Sequence, residues 1–325
     1  MSSSSAYVLF DNGSHKCISF STLVKGEGVQ ANQFLIIHDK HAAVIDPGGD
    51  LTYTPLTLEL MKYIRLQSLD YVIASHQDPD IIASMPRWLV HTNATVVASK
   101  LWARFLPHLT SAFMSDRIRS DFSDRLIELP DQGQNIPFGD TVIKAVPAHF
   151  LHSVGNFQFY DPISKILFSG YMGASMVDDA QSPVTDFDAH IPSMRGFHQR
   201  YMCSKKVMRL WANMVRDMDV DMIVPQHGRP FQSKEVINRF LDWISELDCG
   251  IDTDTSKLSL PLIVNNACLC QQTGYKINPR ANCHEHDALL GKHVVSIALR
   301  VAPLIADTQP VSSYCLVLEF PMVCL

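Results

Sequence analysis

One histidine and two aspartates, His76, Asp78 and Asp80, stand within the run Ser-His-Gln-Asp-Pro-Asp. They directly follow the apolar stretch 71–74, which is typical of a buried strand. A strand that ends in His-x-Asp-x-Asp presents an imidazole and two carboxylates in a single loop, and both groups bind transition metals. The run therefore predicts a metal site and indicates a dinuclear one.

Further candidate ligands follow later strands of the predicted domain: His149, His152, Tyr171 and His227. Loops at one edge of a rigid sheet commonly bring functional side chains together from distant parts of a sequence. A lone histidine, in a chain that has 14 of them, is usually a surface or hydrogen-bonded residue. Because these residues stand at strand ends beside the His-x-Asp-x-Asp loop, we interpret them as candidates for the same site.

Short apolar runs alternate with segments of helical periodicity, which predicts a mixed α/β domain with sheets inside and helices outside. The predicted strands cover residues 34–37, 42–46, 71–74, 94–98, 142–143, 156–160, 165–168 and 222–225, and the clearest predicted helices cover 56–66, 199–215 and 234–247.

The composition excludes several classes of protein. With 325 residues, 46% of them hydrophobic and 18% charged, the chain can bury a large core. Its net charge of -6 includes no Lys/Arg cluster, so we expect neither a nucleic acid nor a membrane surface as a partner. The sequence shows no signal peptide and no uncharged apolar run of about 18 residues, which favours a cytoplasmic protein.

The cysteines divide the chain unevenly, since six of the eight lie after residue 248. We expect residues 1–27 to join the first sheet, residues 28–248 to form the metal-binding domain, and residues 249–325 to be a short irregular extension. This extension has the residue types of a structural zinc site, but their spacing matches no established zinc motif. A poorly ordered or foreign segment is the interpretation that we favour. The residues concerned are Cys268, Cys270, Cys283, His284 and His286.

Over residues 28–247 the chain resembles the metallo-β-lactamase superfamily, and within it the di-iron branch of flavodiiron and oxygen-binding di-iron proteins. The resemblance implies an αββα sandwich with two metals at one edge, between two sheets. The motifs that carry it are Ala43-Val-Ile-Asp-Pro-Gly, Ser75-His-Gln-Asp-Pro-Asp, Phe150-Leu-His-Ser-Val-Gly-Asn-Phe, Ile166-Leu-Phe-Ser-Gly and Pro225-Gln-His-Gly.

The resemblance also implies which residues bind which metal. His76, Asp78 and His152 would hold one ion, and Asp80 and His227 the other. Zinc hydrolases of the superfamily usually carry a second histidine where this chain has Asp78. Because a carboxylate is a harder ligand than imidazole, this exchange favours two iron ions over zinc, with manganese as a further alternative.

Two positions depart from the family pattern. Ile81 stands where a further histidine is usual, and His149 could replace that ligand or only support His152. Tyr171 stands where an aspartate usually bridges the two metals. A phenol has one oxygen and an ordinary pKa near 10, so Tyr171 would either bind as phenolate or, in our favoured interpretation, fill space and weaken the dinuclear site.

The resemblance implies a non-haem di-iron protein that binds, senses or reduces dioxygen or nitric oxide. Residues 251–325 show no resemblance to a flavodoxin domain, so we expect a stand-alone protein with a separate electron donor or signalling partner. Whether it is an oxidoreductase, and whether it forms a homodimer, stays open. One alternative is a dinuclear zinc hydrolase. The other is a non-catalytic signalling or binding module, which Tyr171 supports.

Overall fold

The computed structural model describes residues 5–26, 28–110, 117–118 and 122–253. Within these ranges, no helix is both long and apolar enough to cross a bilayer. The strands are β1 (Ala6–Asp11), β2 (His15–Phe20), β3 (Gln33–His38), β4 (His41–Ile45), β5 (Leu69–Ile73), β6 (Thr95–Ser99), β7 (Leu126–Leu129), β8 (Gln134–Phe138), β9 (Thr141–Pro147), β10 (Phe157–Asp161), β11 (Ile166–Phe168), β12 (Met222–Val224) and β13 (Phe231–Gln232).

The α-helices are α1 (Asp50–Leu60), α2 (Pro79–Ile82), α3 (Met85–His91), α4 (Lys100–Ala103), α5 (Phe187–Tyr201), α6 (Lys205–Arg216) and α7 (Lys234–Glu246). Short 3-10 helices cover Leu66–Ser68, Leu106–Leu109, Phe122–Arg125 and Gly250–Asp252.

The strands form two sheets. Strands β1 to β7 lie side by side in sequence order in the first sheet, and the second sheet has the order β13-β12-β11-β10-β9-β8. Three apolar clusters separate the layers. One packs α1 and α3 on the first sheet, one lies between the sheets, and one packs α5, α6 and α7 on the second sheet. This order of layers is an αββα sandwich, so the predicted fold class is confirmed.

Strand β3 shows why these apolar runs form interior strands. Its side chains alternate between two cores: Phe34 and Ile36 lie in the cluster between the sheets, and Leu35 lies in the cluster beneath α1 and α3. Successive side chains of a strand point to opposite faces, so a strand that is covered on both faces reads as a continuous apolar run.

The predicted helix over residues 199–215 is wrong, because two helices occupy this region. Helix α5 begins at Phe187 and ends at Tyr201, and α6 begins at Lys205. The Ser204 hydroxyl accepts a hydrogen bond from the Val207 amide and so caps the second helix. This N-cap signal marks the boundary that apolar periodicity alone missed.

Most of the predicted C-terminal extension, including its candidate zinc ligands, lies outside the described residues. Strands β1 and β2 pair with each other, and β2 pairs with β3 of the first sheet. Near the other end, Cys249 is fully buried in the cluster beneath the second sheet. The division of the chain at residues 27 and 248 stays a prediction.

Two main-chain hydrogen bonds join the sheets at the edge where β5 and β12 end. The Phe157 amide of the second sheet donates to the Ser75 carbonyl, at 2.9 Å, and the Asn32 amide of the first sheet donates to the Gln226 carbonyl, at 2.6 Å. The loops that carry His76 and His227 are therefore each fixed to the opposite sheet.

Candidate metal centre

The His76 ring is oriented by its neighbour in the loop after β5. Its Nδ1 lies 2.9 Å from the Ser75 hydroxyl oxygen. Its Nε2 is buried and has no hydrogen-bond partner among the described residues. A buried polar nitrogen without a partner carries a desolvation cost, which a metal ion bound to its lone pair would offset.

His152, in the loop between β9 and β10, completes a compact group of donors. The Nε2 atoms of His76 and His152 each lie 3.4 Å from Oδ2 of Asp78. These three donor atoms lie within 4.8 Å of one another. Two ligands that are each about 2 Å from one metal ion lie about 3 Å apart, so the residue types and the spacing fit a metal ion.

Asp78 is held in the ionised form. Burial by itself would raise the pKa of Asp78, but the His152 and His76 rings, whose Nε2 atoms lie 3.4 Å from its Oδ2, outweigh burial and hold the pKa well below its usual range. A carboxylate that stays ionised at neutral pH is available as a metal ligand without losing a proton.

Asp80 and His227 face each other beside this group, with His227 Nε2 3.8 Å from Asp80 Oδ2. The Nδ1 of His227 lies 2.7 Å from the Gln30 carbonyl oxygen. Because a carbonyl only accepts, Nδ1 carries the proton and the neutral ring keeps a lone pair on Nε2. Burial lowers the pKa of His227, which favours this neutral form. The pair supplies one nitrogen and one carboxylate toward a second ion.

Tyr171 lies between the two groups. Its ring stacks on His152 at a centroid distance of 4.3 Å and contacts His227 edge-on at 5.3 Å. Its hydroxyl donates to Asp78 Oδ2 at 3.1 Å. Burial, together with the charges of Asp80 and Asp78, raises the pKa of Tyr171 well above its usual range. In this arrangement Tyr171 is a neutral hydrogen-bond donor that lies between the two groups of candidate ligands.

The other two residues discussed from the sequence lie apart from the donor group. His149 Nε2 lies 2.8 Å from the Asp131 carbonyl oxygen, and the His149 ring packs edge-on against Phe157. It is not among the donors that the structure brings together around Asp78. Ile81 is fully buried, so its side chain serves the core.

Asp46 is a supporting residue to which the sequence analysis gave no role. One of its carboxylate oxygens accepts from the Ser75 amide at 2.8 Å, and the other accepts from the Gln226 side-chain amide at 2.6 Å. Burial raises the pKa of Asp46 to about 6, although these hydrogen bonds and the nearby His76 oppose the rise. The residue joins the loop of His76 to the loop of His227. In the sequence, Asp46 is the aspartate of the motif Ala43-Val-Ile-Asp, which could have indicated that it supports the site.

Curated proteins with similar sequences are matched by this chain over only part of their length. An uncharacterized protein of Methanocaldococcus jannaschii is 25% identical over 224 residues, which cover 66% of this chain and 53% of that protein. Diflavin flavoprotein A 1 of Synechocystis is 33% identical over 144 residues, or 44% of this chain and 23% of that protein. The matched part of this chain thus spans about half of the first relative and less of the second.

Solved structures match the chain more completely. The peroxy diiron species of chemotaxis sensor ODP is 37% identical, with a TM-score of 0.66 over 76% of this chain and 97% of that chain. The apo state of chemotaxis sensor ODP from T. denticola is 36% identical, with a TM-score of 0.65 over 76% and 96%. A flavodiiron core from Synechocystis, at 18% identity and a TM-score of 0.61 over 74% and 61%, shares the fold.

A family model completes these comparisons. The model described as "ODP family beta lactamase" matches residues 29–228, which include every candidate ligand described above. The chain therefore belongs to the ODP family beta lactamases, in the di-iron branch of the metallo-β-lactamase superfamily.

Proposed function

We propose that this chain is a non-haem di-iron protein that binds dioxygen in order to sense it. The observation that carries the proposal is the convergence of His76, Asp78 and His152 within 4.8 Å, beside the facing pair Asp80 and His227. The similarity to a solved chemotaxis sensor that carries a diiron centre, at 37% identity over 97% of that chain, supports the choice of metal and of ligand.

Each group of residues has a separate task in this proposal. His76, Asp78 and His152 hold one iron, and Asp80 and His227 hold the other. Reduced iron supplies the electrons and the open coordination position that dioxygen requires. The protein fixes the donors before the metal arrives, because hydrogen bonds to Ser75 and to the Gln30 carbonyl already aim the His76 and His227 rings.

Aromatic side chains cover one side of the donors. Phe197 lies 5.1 Å and Tyr201 lies 5.9 Å from the Tyr171 ring, as measured between centroids. Tyr201 also meets the His152 ring edge-on at 5.9 Å. These rings cover part of the donor group, and the Tyr171 hydroxyl, which donates to Asp78, places a hydrogen-bond donor beside it.

We favour sensing over turnover because a solved structure that is 37% identical to this chain is that of a chemotaxis sensor. If the protein reduces dioxygen or nitric oxide, it requires electrons from a partner. Anaerobic mixing with a chemical reductant and repeated pulses of gas separates the two: a sensor binds about one gas molecule per centre, whereas a reductase consumes gas until the reductant is exhausted.

The ligand set is tested by loading the protein anaerobically with Fe²⁺, measuring the iron content, and recording absorption spectra before and after exposure to air. We expect the wild-type protein to bind iron and to develop a new absorption band in air. His152→Ala should lose iron and the band. His149→Ala is the matched control, because His149 donates to a backbone carbonyl outside the group. Equal losses in both variants, or a wild-type protein that stays free of iron, would overturn the proposal.

Tyr171 also favours a second candidate function, a signalling module whose dinuclear site is impaired. Tyr171→Asp would supply the bridging carboxylate, and Tyr171→Phe removes only the hydroxyl. If the wild-type centre is impaired, Tyr171→Asp raises the iron content toward two ions per chain, and Tyr171→Phe does not. If the wild-type protein already holds two ions, the impaired-site candidate is wrong.

A further inference from the structure

A second group of metal-binding residue types lies at the opposite end of the sandwich. His15 and Cys17 belong to the start of β2, and Asp161 is the last residue of β10. Strand β2 is antiparallel to β3, β3 is antiparallel to β4, and β4 is parallel to β5. The start of β2 is therefore remote from the end of β5, where the His76 loop begins. We call His15, Cys17 and Asp161 the buried triad.

The buried triad joins the two sheets, since β2 lies in one and β10 in the other. His15 and Cys17 are 0% exposed and Asp161 is 1% exposed. Cys17 Sγ lies 3.6 Å from His15 Nε2 and 3.5 Å from Asp161 Oδ2. For a tetrahedral zinc ion with Zn–S near about 2.3 Å and Zn–N or Zn–O near about 2.1 Å, a sulfur and a neighbouring ligand are about 3.5 Å apart. Two of the three edges of the triad already have this length.

The third edge is shorter, with His15 Nε2 2.7 Å from Asp161 Oδ2. This one carboxylate oxygen also meets Cys17, the Ser164 amide at 3.1 Å and the Ser164 hydroxyl. A carboxylate oxygen has two lone pairs, so four polar neighbours crowd it. Among the described residues, no lysine or arginine contacts this carboxylate oxygen; its partners are His15, Cys17 and Ser164. A cation bound within the triad would therefore balance the buried charge of Asp161.

The ring nitrogen of His15 that faces away from Asp161 has hydrogen-bond partners like those that orient a metal-binding histidine. His15 Nδ1 lies 3.3 Å from His38 Nδ1, and His38 Nε2 lies 2.5 Å from Asp140 Oδ1. With His15 Nε2 bound to a metal, its Nδ1–H donates to His38 Nδ1, and His38 Nε2–H donates to the exposed Asp140 carboxylate. Every ring nitrogen then has one defined role, and both rings are neutral. A hydrogen-bond acceptor behind a ligating histidine, here His38, is usual at metal sites because it fixes the tautomer of the ligand.

We propose that His15, Cys17 and Asp161 form a mononuclear site for a borderline divalent cation, with zinc as the best match to a mixed sulfur, nitrogen and oxygen set. The Ser164 hydroxyl, 3.5 Å from Cys17 Sγ, supplies the fourth oxygen or orients a water that does so. Such an ion would cross-link the two sheets at the end of the sandwich remote from the proposed iron centre. The inference does not depend on the proposed function.

Zinc binding at the buried triad must release protons. Burial raises the pKa of the Cys17 thiol well above its usual range, so the thiol keeps its proton in the absence of metal. Zinc binds the thiolate and displaces this proton, so binding at the site is accompanied by proton release.

The test uses the full-length chain with His152→Ala and His227→Ala, which disable the proposed iron centre, and then adds Cys17→Ser. The added Cys203→Ser is the matched control, because Cys203 is only half-buried and lies outside the triad. After metal removal, zinc is titrated under weak buffering, and the bound zinc and the released protons are counted. We expect Cys17→Ser to bind one zinc fewer than Cys203→Ser and to release fewer protons during the titration.

Equal zinc content and equal proton release in the two variants would overturn the proposal and leave the triad as a hydrogen-bond network. If Cys17→Ser does not fold, X-ray absorption at the zinc edge of the parent double variant decides instead. A zinc ion with a single sulfur and otherwise nitrogen and oxygen ligands supports the site. A spectrum without any zinc in such a shell contradicts it.

Discussion

Acid should destabilise the fold through His198, which lies in α5 and is 0% exposed. Its Nδ1 donates to the Met194 carbonyl at 2.9 Å, and its Nε2 accepts from the Gly173 amide at 3.0 Å. This second bond ties the loop that carries Tyr171 to the helix. Protonation of Nε2 would put two donors face to face, so the native state requires a neutral ring.

The size of the effect follows from the pKa. Burial lowers the pKa of His198 from 6.5 to about 4, and the hydrogen bond to Met194 opposes this only in part. The unfolded chain binds a proton below pH 6.5 that the folded chain does not bind, so stability is complete above that pH and is lost as the pH falls toward 4. Between about pH 7 and about pH 5, proton linkage at this single site removes about 2 kcal/mol of unfolding free energy.

Urea unfolding of metal-free protein at these two pH values measures the loss. His198→Gln keeps an acceptor but cannot be protonated, so its unfolding free energy should fall by about 2 kcal/mol less than that of the wild-type protein. His108→Gln, at an exposed position, is the control and should keep the wild-type dependence on pH. An equal loss in wild-type and His198→Gln protein would show that the buried ring does not resist protonation, and the reasoning would fail.

Three further outcomes concern stability. Trp211→Phe should cost about 1–3 kcal/mol by urea unfolding, because it leaves the buried Gln158 side-chain oxygen without its donor at 2.8 Å; Trp102→Phe, at an exposed bond, should cost less. Arg125→Met should cost about 2 kcal/mol, since its guanidinium donates to three carbonyls that end α3 and begin β6, and an unchanged urea midpoint would contradict this. A chain that ends after residue 248 should melt at a lower temperature than one that ends after residue 253, because it lacks the fully buried Cys249.

The candidate ligands could be found from the sequence because each of them stands shortly after a predicted strand. His76, Asp78 and Asp80 stand in one short run after β5, and His152 and His227 follow later strands, so the fold class was enough to place them near one another. His149 could not be separated from His152 in this way. The difference depends on what each ring meets. His152 faces the Asp78 carboxylate, whereas His149 meets the Asp131 carbonyl, whose position is set by the path of a loop.

Other parts were beyond sequence reasoning for a physical reason. Helix α5 contains Pro192 and Gly196, which disfavour helix, so its pattern was weak although the segment is helical from Phe187 to Tyr201. Tertiary packing outweighs this local preference, because Met194 lies in the apolar cluster beneath the second sheet and His198 packs against Phe240 of α7. The buried triad was also missed, since His15, Cys17 and Asp161 become neighbours only when the two sheets face each other.

The hydrogen bonds from Phe157 to Ser75 and from Asn32 to Gln226 bear on how the protein matures. They form only when both halves of the chain have been synthesised and the sheets have docked, and they fix the loops that present His76 and His227. A nascent polypeptide on the ribosome cannot gather these donors, so iron insertion belongs to the last stage of biogenesis.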